Sequence, residues 1–260
     1  MGADRRDTGM TVPLMTGQTW RSYALLFRWQ MLRNRQLFVL LMTIQIALGV
    51  GVIFGFSYLV PQVTPEIALF FATGAPTLTL ILMGLTLVPQ ETAQSRVSGR
   101  FDYVSALPVP RLAPMFADVS YWLVVQLPGT VITLLLAAWR FDVHFHLDGL
   151  VVPAIVLVSL TSAAVGYGVA VTFPPTATAQ VTQFLSIALL LFSPIEFPLD
   201  RLPGWLQDLH RGLPITYMAD VIRGGLTGHY GASRALAFGV LGAYCAAGLA
   251  LSVRAANRRS

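Results

Sequence analysis

Apolar runs, each close to the length that crosses about 30 Å of hydrocarbon, alternate with shorter polar connections along this chain. They occupy positions 37–60, 67–88, 119–139, 150–171, 179–195 and 235–253. At about 1.5 Å per residue a helical run of this length spans a bilayer. The pattern predicts an all-α membrane protein with six transmembrane helices. The fifth run is the shortest and ends among prolines, so its boundary is the least sharply drawn.

Three connections differ from ordinary loops. In WRSYALLFRWQMLRNRQ, within residues 1–36, Trp20, Tyr23, Ala24, Phe27 and Met31 recur at helical spacing, while Arg21, Arg28 and Arg35 recur every seven residues on another face. This predicts an amphipathic helix in the membrane interface, its arginines meeting anionic headgroups. The connection 89–118 opens with helix-compatible residues carrying Glu91, Arg96, Arg100 and Asp102. It ends in Pro108, Pro110 and Pro114, which stop a helix and redirect the chain. A short helix here could pass force from a partner into the spans. The connection 196–231 is too apolar for a plain aqueous loop. Its stretches PGWLQDLHRGLP and ITYMADVIRGGLTG are each amphipathic and are separated at Gly212-Leu213-Pro214. They predict two half-helices re-entering the outer leaflet, a structure tolerated only where protein or a cavity covers the broken backbone.

Composition fixes the class and charge fixes the orientation. Hydrophobic residues make up 55% of the 260 positions and charged residues 11%, against about 25% charged in soluble domains. All 17 basic residues are arginine. Twelve of these lie in the N-terminal tail, in 89–118 and in the tail 254–260. The excess of positive charge marks that side as cytoplasmic and places both termini there. The arginines flank apolar runs and form no stripe of the kind that tracks nucleic acid, so no nucleic-acid partner is expected. Residues 1–36 do not read as a signal peptide. The one cysteine, Cys245, sits in an apolar run and forms no internal disulfide.

Candidate chemistry is sparse. The absence of lysine rules out a phosphate-binding G-x-x-x-x-G-K-[ST] loop, and neither H-E-x-x-H, C-x-x-C nor G-x-S-x-G occurs. No catalytic residue and no cofactor is expected in this chain. The spans hold almost no ionisable groups, which disfavours a proton relay and with it a secondary multidrug transporter, the main alternative. Gln45, Gln126 and Tyr167 are polar within spans. They either line a substrate path or bond helix to helix. Asp142, His144, His146 and Asp148 alternate with apolar residues, which in an extended segment puts them on one face. A metal site there is conceivable, but no further ligands accompany them, and none is expected.

Two local stretches resemble the permease subunits of ABC type-2 exporters, which include bacterial drug-resistance and polysaccharide-export permeases. One runs from Glu91 to Arg111 and ends in Ala106-Leu107-Pro108-Val109-Pro110-Arg111. The other is Leu202-Pro203-Gly204-Trp205-Leu206, followed by Leu213-Pro214-Ile215-Thr216-Tyr217 and by Asp220 to Arg223. Leu213 stands where the family often has Asn, and Phe101-Asp102 where Thr-Leu is common. The resemblance implies the six-span type V exporter fold of a bacterial inner-membrane protein. It implies a homodimer or a pair of homologous permeases enclosing a path for an amphipathic or lipophilic substrate, drug efflux and antibiotic resistance among its uses. A separate ATP-binding-cassette ATPase subunit would carry ATP and Mg. Glu91, Arg96, Arg100 and Asp102 would form its coupling loop. Trp205, Pro214, Tyr217, Asp220 and Arg223 would form an extracellular re-entrant gate, and the helix around Trp20–Arg35 an elbow.

Overall fold

A computed structural model of the chain describes residues 17–59, 64–99, 112–195, 199 and 202–257. The described residues form helices and no strands. In order these are α1 (Gly17–Arg33), α2 (Arg35–Leu59), α3 (Pro65–Leu82), a π-helical segment (Met83–Leu87) and α4 (Val88–Val97). Then follow α5 (Leu112–Phe141), α6 (Val151–Thr172), α7 (Pro175–Phe192), α8 (Gly204–Gly212), α9 (Pro214–Thr227) and α10 (Arg234–Asn257). Five helical stretches are long and apolar enough to cross a membrane: α2, the rod from Pro65 to Val97, Ala117–Phe141 of α5, α6 and α7. The sixth expected span falls in α10, which is apolar over Arg234–Ala250.

Local chemistry explains most helix ends. Thr64 accepts a bond from the Ile67 N–H at 3.4 Å, Pro65 follows at the first helical position, and Glu66 faces the positive end of the dipole. Phe173 and Pro174 separate α6 from α7, because Pro174 cannot continue a helix and Pro175 can begin one. Helix α9 stops at Gly228, whose φ of 76° is free of penalty only without a Cβ. Helix α5 stops at Asp142 in the same left-handed region (φ 52°), with the Val143 N–H bonded back to the Ala138 carbonyl at 3.1 Å.

Packing places one rod at the centre. Of its apolar window 83% is buried, against 22% for α2 and 17% for α7, so the Pro65–Val97 rod is the axis and those two helices face outward. The main core gathers Ile53, Leu78, Leu80, Ile81, Val158, Met218 and Leu241 from five helices, with Ile195 from the connection after α7. Small residues let the backbones close. A Cβ on Gly49 would meet Thr133 side-chain atoms, and one on Gly129 would meet Gln45, so α2 and α5 are in direct apposition. Gly248 stands in the same relation to Ala164, seating α10 on α6.

Candidate functional site

The second apolar run does not end where the polar connection begins. It continues through the π segment into α4, so Glu91 and Arg96 ride on the end of the central rod and not on a separate loop. Arg100, Asp102 and the proline run from Pro108 to Pro110 lie outside the described residues. The irregularity has a chemical cause. Pro89 has no N–H, so a carbonyl one turn earlier goes without its helical donor and the turn widens. The Gly84 carbonyl faces Gly166, where an added Cβ would lie 2.3 Å from that oxygen. Two polar contacts tie the same region to α7: Thr86 with Ser186 at 2.5 Å, and the Gln90 amide donating to Thr182 at 3.4 Å.

Arg96 fixes the tip. Its guanidinium donates to the Ala170 carbonyl at 2.6 Å and the Phe173 carbonyl at 3.5 Å. These belong to the C-terminal end of α6, where unpaired carbonyls and the negative end of the dipole favour a cation. Arg96 therefore ties the end of the central rod to the end of α6. Glu91, half-buried one turn earlier, is also engaged within the fold.

At the opposite end, the amphipathic stretches form two helices, α8 and α9, split at Leu213-Pro214. At the break the His210 carbonyl accepts the Leu213 N–H at 3.2 Å, and side chains add further donors to the last carbonyls of α8. Thr216 donates to the His210 carbonyl (3.0 Å), Tyr217 to Arg211 (3.2 Å) and Tyr244 of α10 to Gly212 (2.5 Å). His210 is buried and reaches the Phe192 carbonyl at the end of α7 (2.8 Å). Trp205 is 70% exposed, so it contributes nothing to the packing of this unit.

Helix α9 is deeply packed, with Pro214, Met218, Asp220, Val221, Ile222 and Leu226 among its buried residues. Asp220 accepts the Gly231 and Ala232 N–H groups, both at 2.7 Å, and so holds the connection to α10. Arg223 lies 3.8 Å from the centre of the Phe70 ring and donates to the Thr73 hydroxyl (3.2 Å) and the Ile195 carbonyl (3.1 Å). One cation thus joins α9, α3 and the end of α7.

The remaining sequence candidates are placed as follows. Gln45 and Gln126 are both buried at the seam of α2 and α5. The Gln45 amide donates to Thr130 (3.0 Å), whose hydroxyl donates to the backbone carbonyl of Gln126 one turn earlier (2.9 Å). Both glutamine side chains are closed off from solvent within the seam. Tyr167 is half-buried on α6 and has a partner within the fold. Asp142 serves as the left-handed stop of α5, and Asp148 pairs with Arg234 at 2.9 Å. Among the described residues no three His, Cys, Asp or Glu side chains come together as metal ligands. Beside Asp148, burial raises the Tyr230 phenol above its ordinary value, Arg234 opposing and Asp148 adding to the effect, so the hydroxyl keeps the proton it directs at Asp148, 3.5 Å away.

Sequence reasoning missed the contact of Gly84 with Ser162 and Gly166. Its signal was present as Ser162 and Gly166, small residues four apart on one helix face. Thr73 as the seat of Arg223 carried no signal, since nothing local distinguishes it from Thr77 or Thr79.

A bundle of apolar helices around a central rod, with Arg96 fixing one end and a broken helix pair at the other, is a multi-pass membrane protein. The family model described as ABC-2 type transporter matches residues 19–227, and the chain belongs to that family, as an ABC transporter permease. Permeases of this family work with an ATPase subunit. No curated protein matches the sequence.

Proposed function

We propose that this chain is the membrane-spanning half of an ATP-driven exporter for an amphipathic or lipophilic substrate. A separate ATPase subunit binds on the arginine-rich, cytoplasmic side, and both termini lie there. The observation that carries the reading is the α4 lever: the end of the central rod, pinned by Arg96 to the end of α6, on a chain with no nucleotide motif. A partner acting on α4 moves two core helices together. Family membership supports the partner, and the near absence of charge in the spans supports an apolar cargo.

A second permease copy completes the path in this proposal. Helix α7 exposes Gln180 and Gln183 as well as Phe184 and Ile187. Acyl chains cannot satisfy the two amides, which favours a facing protein surface. Helices α8 and α9, latched by Arg223, form the outer gate, and α1 forms the elbow.

The test is co-expression with the ATPase, followed by reconstitution in proteoliposomes. The expected result is a stable complex whose ATP hydrolysis rises with substrate, and an Arg96→Gln variant that still assembles but loses most of the stimulation. Transport that ignores ATP depletion and collapses with the proton gradient would overturn the proposal in favour of a secondary transporter.

A further inference from the structure

Three copies of one short unit cross the boundary between α1 and α2: Arg21 with Leu25, Arg28 with Leu32, and Arg35 with Val39. Within each unit the residues are four apart, and the units repeat every seven. On a helix this stacks a row of arginines beside a row of apolar side chains, with about 10 Å between successive rungs. The structure leaves both rows outside. All three arginines are exposed, and Leu25, Leu32 and Val39 are 67%, 65% and 61% exposed. None of the three arginines has a hydrogen bond or ion pair to another described residue.

The other face of α1 is committed to the protein. Tyr23 donates to Ser120 at 3.0 Å, the Gln30 amide donates to Asp118, and Phe27 and Met31 pack with Leu41, Tyr121 and Trp122. Partner positions reveal direction. From Tyr23 to Gln30, about 10 Å along α1, the partner on α5 moves back by only about 3 Å. Helix α1 therefore crosses α5 steeply. Helix α2, by contrast, advances in step with α5, from Gln45 at Thr130 to Ser57 at Arg140. Since α5 is a span, α1 lies along the membrane surface while α2 passes through.

Asn34 is a one-residue turn between the two helices, its N–H on the Gln30 carbonyl (2.9 Å) and its carbonyl accepting the Phe38 N–H (2.8 Å). The exposed apolar residues Leu25 and Leu32 of α1 are followed across this turn by Val39, Leu40, Ile44 and Leu48 on the outward face of a span. A soluble protein cannot follow that row into the hydrocarbon, whereas a lipid can line its whole length. Trp29 is exposed beside it with the Arg33 guanidinium 4.2 Å from its ring centre, an aromatic–cation pair suited to the headgroup layer.

We propose that Arg21, Arg28 and Arg35 form a binding site for anionic phospholipid headgroups, the apolar row resting on the acyl chains beneath them. Guanidinium groups fork onto phosphate oxygens, and a surface ladder of three concentrates anionic over zwitterionic lipid. The inference needs only that the chain spans a membrane, and it stands whether or not transport is driven by ATP.

The test uses the full chain in bilayers of phosphatidylcholine containing a fixed minority of brominated lipid, either phosphatidylglycerol or phosphatidylcholine. Bromine quenches nearby tryptophan fluorescence. The expected result is stronger quenching by the brominated phosphatidylglycerol, an excess that disappears in Trp20→Phe/Trp29→Phe. The excess is lost in Arg21→Gln/Arg28→Gln/Arg35→Gln and kept in large part in the corresponding triple Lys variant. Should the glutamine variant fail to fold, the wild-type protein supplies the same test: at about 1 M salt, where screening falls to about 3 Å, the excess vanishes. Equal quenching by the two lipids, or an excess that survives the glutamine variant or high salt, overturns the proposal. An absence of quenching at Trp29 by either lipid also overturns it and assigns the face to a protein partner.

Discussion

Gly166 and Gly168 are two residues apart on α6, yet a Cβ has opposite consequences at the two positions. At Gly166 it meets the Gly84 backbone oxygen at 2.3 Å, an atom that cannot rotate aside, while at Gly168 nothing lies within 4 Å. Gly166→Ala is expected to destabilise the protein by about 1–3 kcal/mol, the usual range for overpacking. Gly168→Ala should leave it unchanged or gain up to about 1 kcal/mol from helix propensity. Thermal unfolding in detergent, followed by size-exclusion chromatography, separates the two. Asp220 offers a second contrast. Asp220→Ala removes the acceptor from two N–H groups and is expected to cost about 1–3 kcal/mol, whereas Asp220→Asn keeps one acceptor oxygen and should lose less. Equal melting temperatures for the two variants would show that Asp220 does not hold the connection between α9 and α10.

For whole elements, the α8–α9 junction is held by side chains that replace a missing helical turn. Tyr217 and Tyr244 donate to the Arg211 and Gly212 carbonyls, the last two of α8. In membranes such bonds contribute about 0.6 kcal/mol each on average. Tyr217→Phe/Tyr244→Phe is therefore expected to shift global stability by only about 1 kcal/mol while loosening the junction locally. Hydrogen–deuterium exchange should show faster uptake across 204–217 and no change in α6. Unchanged uptake at 204–217 would mean that the junction is kept by burial of α9 alone. The breaks themselves were legible in the sequence, because Pro174-Pro175 and Leu213-Pro214 act on their own backbone. The fusion of α3 to α4 was not. Pro89 reads locally as a helix stop, and it is tolerated inside the rod because α6 brings Gly166 against the Gly84 carbonyl and α7 brings Ser186 to Thr86.

Across the whole molecule, the arginine distribution and the helix order make a prediction about sidedness. Replacing Cys245 by Ala removes the one cysteine, after which single cysteines can be introduced at Leu147 and Asn257. Leu147→Cys is expected to react with a membrane-impermeant maleimide added outside, and Asn257→Cys only after permeabilisation. The reverse pattern would invert the topology and move the proposed ATPase face to the other end. Much of the candidate site could be located along the chain, since Glu91, Arg96, Tyr217, Asp220 and Arg223 all fall in two of the three unusual connections. Their partners could not be read there. Arg96 meets α6 more than seventy positions away, and Arg223 meets Thr73 at a separation of 150.

By itself the sequence determined the class of the protein, the approximate position of each apolar helix and the points where helices break. These depend on how apolar a segment is relative to bilayer thickness, and on backbone restrictions that proline and glycine impose within a residue or two. Only the tertiary structure decided how each helix is rotated, and so which polar groups meet. It paired Gln45 with Thr130, seated Arg223 on Phe70 and gave Asp220 to the Gly231 and Ala232 amides. In lipid, apolar residues are tolerated on every face of a helix. The hydrophobic pattern therefore fixes depth but not rotation, and rotation follows from close packing and hydrogen bonds between segments far apart in the chain.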